Sequence, residues 1–317
     1  MNDAGRVCPL RYRYGADAIA VAPTRKAETL YVVGGLYGNS EALKTVLEMH
    51  AVEADARLCF NGDFNWFNVD DDSFVVINQA VLKHDAILGN VEAELGSPED
   101  GVGCGCAYPE NVDADTVARS NLIHARLKRT AARHLQLRAQ IDALPMLARY
   151  QVGEIRVGAV HGDADSLAGW RFDVSALDDP ADDAWRAAAF ANAEVDVFAS
   201  SHTCLPALRS YDQGGKIVIN NGAAGMPNFA SSNFGVITRI SVKPSPYPSL
   251  YGCVVHDVHV DALAIHYDTA KWEAEFLRNW PPRSAAHQSY FGRIANGPDY
   301  TLSVGASDTP SIKGTKL

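Results

Sequence analysis

Four short apolar runs in this chain each end in a polar turn that carries a metal-ligating side chain. Leu58-Cys59-Phe60 leads into Asn61-Gly62-Asp63, and Ala86-Ile87-Leu88 leads into Gly89-Asn90. Ile155-Arg156-Val157-Gly158-Ala159-Val160 leads into His161-Gly162-Asp163, and Val195-Asp196-Val197-Phe198-Ala199 into Ser200-Ser201-His202. Buried strands that stop at polar turns belong to open α/β sheets, whose strand ends converge on one edge and hold the chemistry there. One carboxylate, one amide oxygen and two imidazoles make a mixed oxygen and nitrogen set. It suits a divalent transition metal (Mn, Zn, Fe or Ni) and suits an all-oxygen Ca site poorly. Any one of these residues alone passes as a turn cap; four in succession at strand ends read as a site.

Composition narrows the class. At 317 residues the chain is long enough for one large domain or two, and 47% hydrophobic content fills a sizeable core. A net charge of -10 argues against nucleic acid or an anionic membrane as partner. No run approaches the ~18 apolar residues of a membrane span, and the polar N-terminus lacks a signal-peptide core. Six cysteines are too few for a disulfide framework at this length, so reduced thiols and a cytoplasmic setting are expected.

Along the chain, residues 1 to 27 read as an irregular arm on the surface, with Arg6, Arg11, Arg13 and Arg25. Residues 28 to 270 read as the main domain, opening with strand-helix units in which Leu43, Val46 and Leu47 form a helical stripe. The segment 96–109 is loop-like around Cys104-Gly105-Cys106. Residues 113 to 144 predict one long helix or a helix pair, with Val117, Leu127, Leu135, Leu137, Ile141 and Leu144 on apolar faces. Residues 182 to 193 predict another helix. Three alternating prolines mark 243–248 as a rigid loop. His256 to Ile265 alternates as a late strand, with His256, His259 and His266 half-exposed on it. Residues 271 to 317 form a helical extension, packed through Trp272, Phe276, Leu277 and Trp280, and a tail disordered after Ala306.

The run Val33-Gly34-Gly35-Leu36-Tyr37-Gly38-Asn39-Ser40-Glu41-Ala42-Leu43 resembles the opening Asp-x-His-Gly-Asn motif of the calcineurin-like metallophosphoesterases. Gly62-Asp63 is similar to their Gly-Asp motif and Gly89-Asn90-Val91-Glu92 to Gly-Asn-His-Asp/Glu. Val160-His161-Gly162 is similar to the fourth motif, Ser201-His202-Thr203-Cys204 to Gly-His-Thr-His, and Asn220 to Gly225 to the turn that follows. The resemblance covers residues 28 to 270. It implies an α/β fold, a four-layer α/β/β/α sandwich of two mixed β-sheets flanked by helices.

The resemblance also implies which metal site survives. One family metal is held by residues matching Asp63, Asn90, His161 and His202, all intact. The other would need ligands where this chain has Gly35, Tyr37 and Cys204, beside the bridging Asp63. Gly35 offers no ligand atom, and Tyr37 only a phenol with an ordinary pKa near ~10. Val91 replaces the family's proton-donating His. One metal-bound site acting on a small-molecule phosphoester is therefore expected, with Asp63 and His161 as its catalytic members. Tyr37, Asn39, Cys204, Cys104 and Cys106 are expected to line it. The rival readings are a non-catalytic descendant that binds a ligand or protein, and an enzyme of altered chemistry using Cys204 and nearby thiols. Cys104 and Cys106 read either as reduced thiols in a tight loop or as thiolates supplied to the vacated position. Asp163 and Asp165 read either as supports for the His161 imidazole or as a solvated turn.

Overall fold

Thr24–Ala27 (β1) and Thr29–Val33 (β2) are consecutive in sequence but belong to different sheets. All five residues of β2 are buried. Leu30 and Val32 enter one core cluster, and Tyr31 and Val33 enter another on the opposite face. That two-sided burial is the signature of a central strand covered on both faces. The computed structural model describes residues 4–53, 55–97 and 101–306; the tail expected after Ala306 lies outside them.

A short helix α1 (Ala16–Ala20) precedes β1. After β2 come α2 (Ser40–Val52), β3 (Arg57–Asn61), α3 (Asp71–Val81), β4 (Asp85–Ile87) and the single turn α4 (Asn90–Ala93). The chain continues through α5 (Ala114–Ala131), α6 (Leu135–Asp142), β5 (Leu147–Val152), β6 (Ile155–Val160), α7 (Val174–Leu177), α8 (Asp183–Ala193) and β7 (Val197–Ser200). It then adds β8 (Pro206–Tyr211), β9 (Lys216–Asn221), β10 (Gly235–Ser241), β11 (Ser249–Val255) and β12 (Val258–Ile265). The helices α9 (Thr269–Asn279), α10 (Ala285–Asn296) and α11 (Leu302–Gly305) follow.

The strands form two six-stranded mixed sheets, ordered β1-β5-β6-β7-β9-β8 and β11-β12-β10-β2-β3-β4. Leu30, Val32, Cys59 and Ile87 of one sheet share a buried cluster with Tyr150, Val157, Val197 and Ile219 of the other, so the sheets pack face to face. On the outer face of the second sheet, Leu43, Val46 and Ile77 bring α2 and α3 against Val33 and Phe60. On the outer face of the first, Ile19 and Phe190 bring α1 and α8 against Phe198 and Val218. The result is the four-layer α/β/β/α sandwich.

β2, β3 and β4 pair in parallel, as do β6, β7 and β9. Parallel neighbours need crossovers, and α2 and α3 supply them between β2, β3 and β4. Each crossover helix starts at a side-chain cap: Asn39 accepts from Ala42 N for α2, and Asp70 from Ser73 N for α3. Because the strands run parallel, their C-terminal turns open on the same edge of the sandwich.

Three expectations change. Residues 1 to 27 are not an irregular surface arm where they are described. Tyr12 and Ile19 are fully buried, and β1 pairs with β5 in parallel register. A four-residue, half-exposed strand carries too short an alternation to be seen in sequence, and its partner lies more than 120 residues away. His256 is not on a strand: it and Asp257 form the left-handed turn between β11 and β12 (φ 46° and 63°). Residues 113 to 144 resolve into the helix pair α5 and α6, and Leu135, expected on an apolar face, is 60% exposed. The C-terminal packing follows expectation, with Trp272, Phe276 and Trp280 buried against Phe67 and Ile123.

Candidate metal centre

Asp63 follows β3, Asn90 follows β4, His161 follows β6 and His202 follows β7. Glycines let these turns approach one another. Gly62 has φ +77°, and a Cβ there would stand 2.5 Å from Gly89 Cα and 2.7 Å from His161 Nδ1. A Cβ on Gly89 would stand 2.3 Å from Asp63 Oδ1. Both positions therefore accept glycine alone.

The four side chains converge on His161 Nε2. Asn90 Oδ1 lies 3.1 Å from it, His202 Nδ1 3.2 Å and Asp63 Oδ1 3.3 Å. Donors at about 2.0–2.2 Å from one tetrahedral or octahedral ion stand roughly 3.0–3.5 Å apart, so these spacings fit a single ion. Asp63, His161 and His202 are buried, with their ligand atoms within 4.8 Å of one another. The outward nitrogens of the two histidines and of Asn90 are already engaged. His161 Nδ1 donates to Asn61 O (2.9 Å), which leaves Nε2 with a free lone pair. His202 Nε2 donates to Cys106 O (3.1 Å), which leaves Nδ1 free. Asn90 Nδ2 donates to Cys104 O (2.9 Å) and turns Oδ1 inward. Asp63 Oδ1 accepts from Val91 N (3.2 Å).

The electrostatics fit a site made for positive charge. Burial pulls the His161 imidazole down, but Asp63 beside it outweighs this and the pKa ends above the ordinary value. Burial likewise opposes ionisation of Asp63, and the His161 charge overcomes it, so the carboxyl titrates lower than usual. Burial and the neighbouring His161 push His202 down to about 3. A divalent cation at the centre would take over the role of the His161 proton while both imidazoles stay neutral.

Gly35, Tyr37 and Cys204, which the resemblance aligns with the ligands of a second metal, pack against one another. Tyr37 adopts φ 56° and folds its ring over Gly35, where a Cβ would meet the ring carbons and the phenol oxygen at 2.9 Å. The Tyr37 hydroxyl stands 2.8 Å from Cys204 Sγ, and Arg293 donates to Cys204 O at 2.8 Å. Burial raises both the Tyr37 and Cys204 pKa values, so without a cation both groups are held neutral.

The cavity is lined by Tyr37, Asp63, Asn90, Cys106, His202 and Cys204 among the expected residues. Asn39 does not line it; its side chain is fully buried between Ala42 N and Gly225 O, capping α2. Cys104 meets the site through its carbonyl, and its sulfur is paired with Cys106 in a disulfide. The reduced thiols expected there are thus replaced by a closed C-x-C loop, whose two sulfurs sit on one tight turn. Asp163 does not support His161. It accepts from Asp165 N, Ser166 N and Arg171 N and organises its own loop, while Asp165 accepts from Trp185 Nε1.

Other participants escaped the sequence reading. The fully buried Glu92 accepts from Asp63 N (2.7 Å), Asn65 N (3.1 Å) and Gly89 N (3.2 Å) and ties the turns after β3 and β4 together. Burial lifts it to about 7. Its spacing of three after Gly89 is a capping signal that could have revealed it. Trp66, Tyr108, Trp170 and Tyr290 wall the cavity, and Trp170 stacks edge-on to His202 at 5.2 Å. Nothing local marks these rings, because they arrive from four separate segments.

Cys204 and Cys59 should differ in reactivity. Cys204 is half-buried and faces the cavity, whereas Cys59 is fully buried and burial pushes its thiol up to about 12. Iodoacetamide labelling of the native protein, read by mass spectrometry, is expected to modify Cys204 ahead of Cys59, with little dependence on added metal. Strong protection of Cys204 by metal would make it a ligand instead of packing.

The fold is that of the calcineurin-like metallophosphoesterases. The structure superposes on a metallophosphoesterase from Sphaerobacter thermophilus with TM-score 0.56 and 17% identity, covering 86% of this chain and 100% of that one. It superposes on a hypothetical protein from Pyrococcus horikoshii OT3 with TM-score 0.58 and 15% identity, covering 86% and 99%. At such identity the likeness concerns the fold. No family model matches the chain, and no curated protein matches it by sequence. No described helix is long and apolar enough to cross a membrane.

Proposed function

We propose that this protein is a metal-dependent phosphoesterase-type hydrolase that works at one divalent transition-metal ion on a small-molecule phosphoester. The observation that carries the reading is the convergence of Asp63, Asn90, His161 and His202 at single-ion spacing, with the outward nitrogens of Asn90, His161 and His202 already hydrogen-bonded. When bound, such an ion polarises a phosphoryl oxygen and acidifies a coordinated water.

The chain's own residues set the limits of the chemistry. Val91 stands where the family places its proton donor. The nearby His124 gives no substitute, because it is buried, its Nε2 pairs with Val91 O and burial pulls it down to about 4. The alcohol must therefore leave without a proton from the protein at that position. The cavity measures about 50 Å³, well below the ~150 Å³ that holds a benzene ring. With the aromatic walls as they stand, it admits an ion and the phosphoryl end of an ester, and the alcohol portion stays at the mouth.

The second reading is a non-catalytic module whose former site binds a ligand. The same small cavity and the Tyr37–Cys204 packing favour it. Metal analysis and phosphate release separate the two. After reconstitution with Mn, Zn, Fe or Ni, about one equivalent per chain is expected, together with slow release from small phosphoesters. Metal binding with no turnover on a broad phosphoester panel selects the binding module. No metal uptake with any of the four ions overturns the metal-dependent hydrolase and leaves the binding module.

A further inference from the structure

The segment Cys104-Gly105-Cys106 meets the centre through its backbone. Cys104 O accepts from Asn90 Nδ2 at 2.9 Å, and Cys106 O accepts from His202 Nε2 at 3.1 Å and from Trp170 Nε1 at 3.0 Å. Two of the four candidate ligands thus take their orientation from carbonyls two residues apart, one at each end of the same disulfide. The segment lies in neither a helix nor a strand. Gly105 sits at φ +67°, and a Cβ there would stand 2.5 Å from the Tyr12 hydroxyl, so the loop follows one narrow path. Besides the disulfide and the ligand contacts, the turn is held by Trp170 Nε1 on Cys106 O (3.0 Å), by Cys104 N on Asn121 Oδ1 (3.0 Å) and by Gly105 N on Val102 O (3.4 Å). The Cys104 end, which among the described residues has no side-chain donor on its carbonyl other than Asn90, is therefore the one that the disulfide chiefly fixes.

We propose that the Cys104–Cys106 disulfide is a positioning element of the metal centre, so that metal affinity depends on its redox state. The proposal rests on the single-metal reading above. Closed, the disulfide holds the two carbonyls at the separation that aims Asn90 Oδ1 and His202 Nδ1 at one point. A dithiol opens it by exchange: one reductant sulfur attacks, a mixed disulfide forms, and the second reductant sulfur displaces it. The dithiol is oxidised to its own disulfide, and Cys104 and Cys106 together gain two electrons and two protons. The freed turn explores more conformations, and each carbonyl then samples positions from which it no longer fixes its ligand. Disturbing groups that orient metal ligands typically lowers affinity about 10–100-fold.

Thiol counting and cobalt titration test this. Denatured without reductant, the protein should show four free thiols (Cys8, Cys59, Cys204 and Cys253), and six after reduction. Cobalt is then titrated into the native protein before reduction, and again after dithiol treatment and anaerobic desalting. The dissociation constant should rise about 10–100-fold on reduction, and the visible spectrum of the bound cobalt should change as ligand geometry relaxes. The double variant C104S/C106S should reproduce the reduced state and ignore dithiol. A loss of stability alone would not move the cobalt spectrum of the folded fraction. Unchanged affinity and spectrum with six thiols exposed overturn the proposal and leave the single-metal reading standing. Six thiols before reduction overturn it equally. No cobalt binding in either state removes the metal centre and this proposal with it.

Discussion

His161→Ala should reduce bound metal from about one equivalent per chain to near zero under conditions that saturate the native protein. His161 Nε2 is the atom around which the other three ligand atoms gather, at 3.1 to 3.3 Å. Removing the imidazole leaves Asp63, Asn90 and His202 with no shared neighbour and opens a void at their centre. Loss of an orienting group alone costs about 10–100-fold in affinity, and loss of a ligand should cost more. The fold should survive. The variant strands Asn61 O, which also accepts from Ser201 Oγ at 2.9 Å. The penalty for a weakened buried acceptor is about 1–3 kcal/mol, small against a large domain's ability to absorb it. Metal analysis by mass spectrometry with circular dichroism on the same sample decides the matter. A folded variant that keeps a full equivalent of metal would place the ion elsewhere.

Rebuilding the second metal position should raise phosphodiesterase activity only when all three of its lost ligands return together. The native protein is expected to turn over generic aryl phosphate diesters slowly or not at all. On the single-metal reading it would have neither a second Lewis acid nor a proton donor at Val91, and proton transfer alone contributes about 10²–10⁴-fold. Single changes should fail for a packing reason. A Cβ at Gly35 meets the Tyr37 ring at 2.9 Å, so Gly35→Asp clashes while Tyr37 remains. Tyr37→His relieves that clash but leaves Cys204 without the hydroxyl 2.8 Å from its sulfur. The triple variant Gly35→Asp, Tyr37→His, Cys204→His removes the packing pair and supplies three ligands at once. A second metal equivalent per chain and a rise in diester turnover are expected from it. Appreciable diester hydrolysis by the unaltered protein, at the level of two-metal hydrolases, contradicts this account.

The sequence by itself determined where polar chemistry meets the ends of buried strands. Leu58 to Asp63, Ala86 to Asn90, Ile155 to His161 and Val195 to His202 each show an apolar run ending at a turn, and all four candidate ligand residues stand just beyond β3, β4, β6 and β7. That pattern is local, because a strand's burial and its terminating turn are written in consecutive residues. The helical character of residues 114 to 142 and the buried Trp272, Phe276 and Trp280 were legible for the same reason, although the break between α5 and α6 was left open.

Only the tertiary structure decided the character of the site. Whether Tyr37 offers a ligand or fills a void depended on Cys204, 167 residues away, and on a ring folded over Gly35. The rings of Trp66, Tyr108, Trp170 and Tyr290 become a wall only when four segments meet. The orientation of Asn90 and His202 comes from the carbonyls of Cys104 and Cys106, groups that every residue carries and no sequence distinguishes. Likewise β1 is a strand only because β5 offers it an edge. Side-chain type announces which atoms can bind a metal, whereas volume, backbone hydrogen bonding and edge pairing depend on neighbours distant in sequence, and these set the size of the cavity and the orientation of the side chains around it.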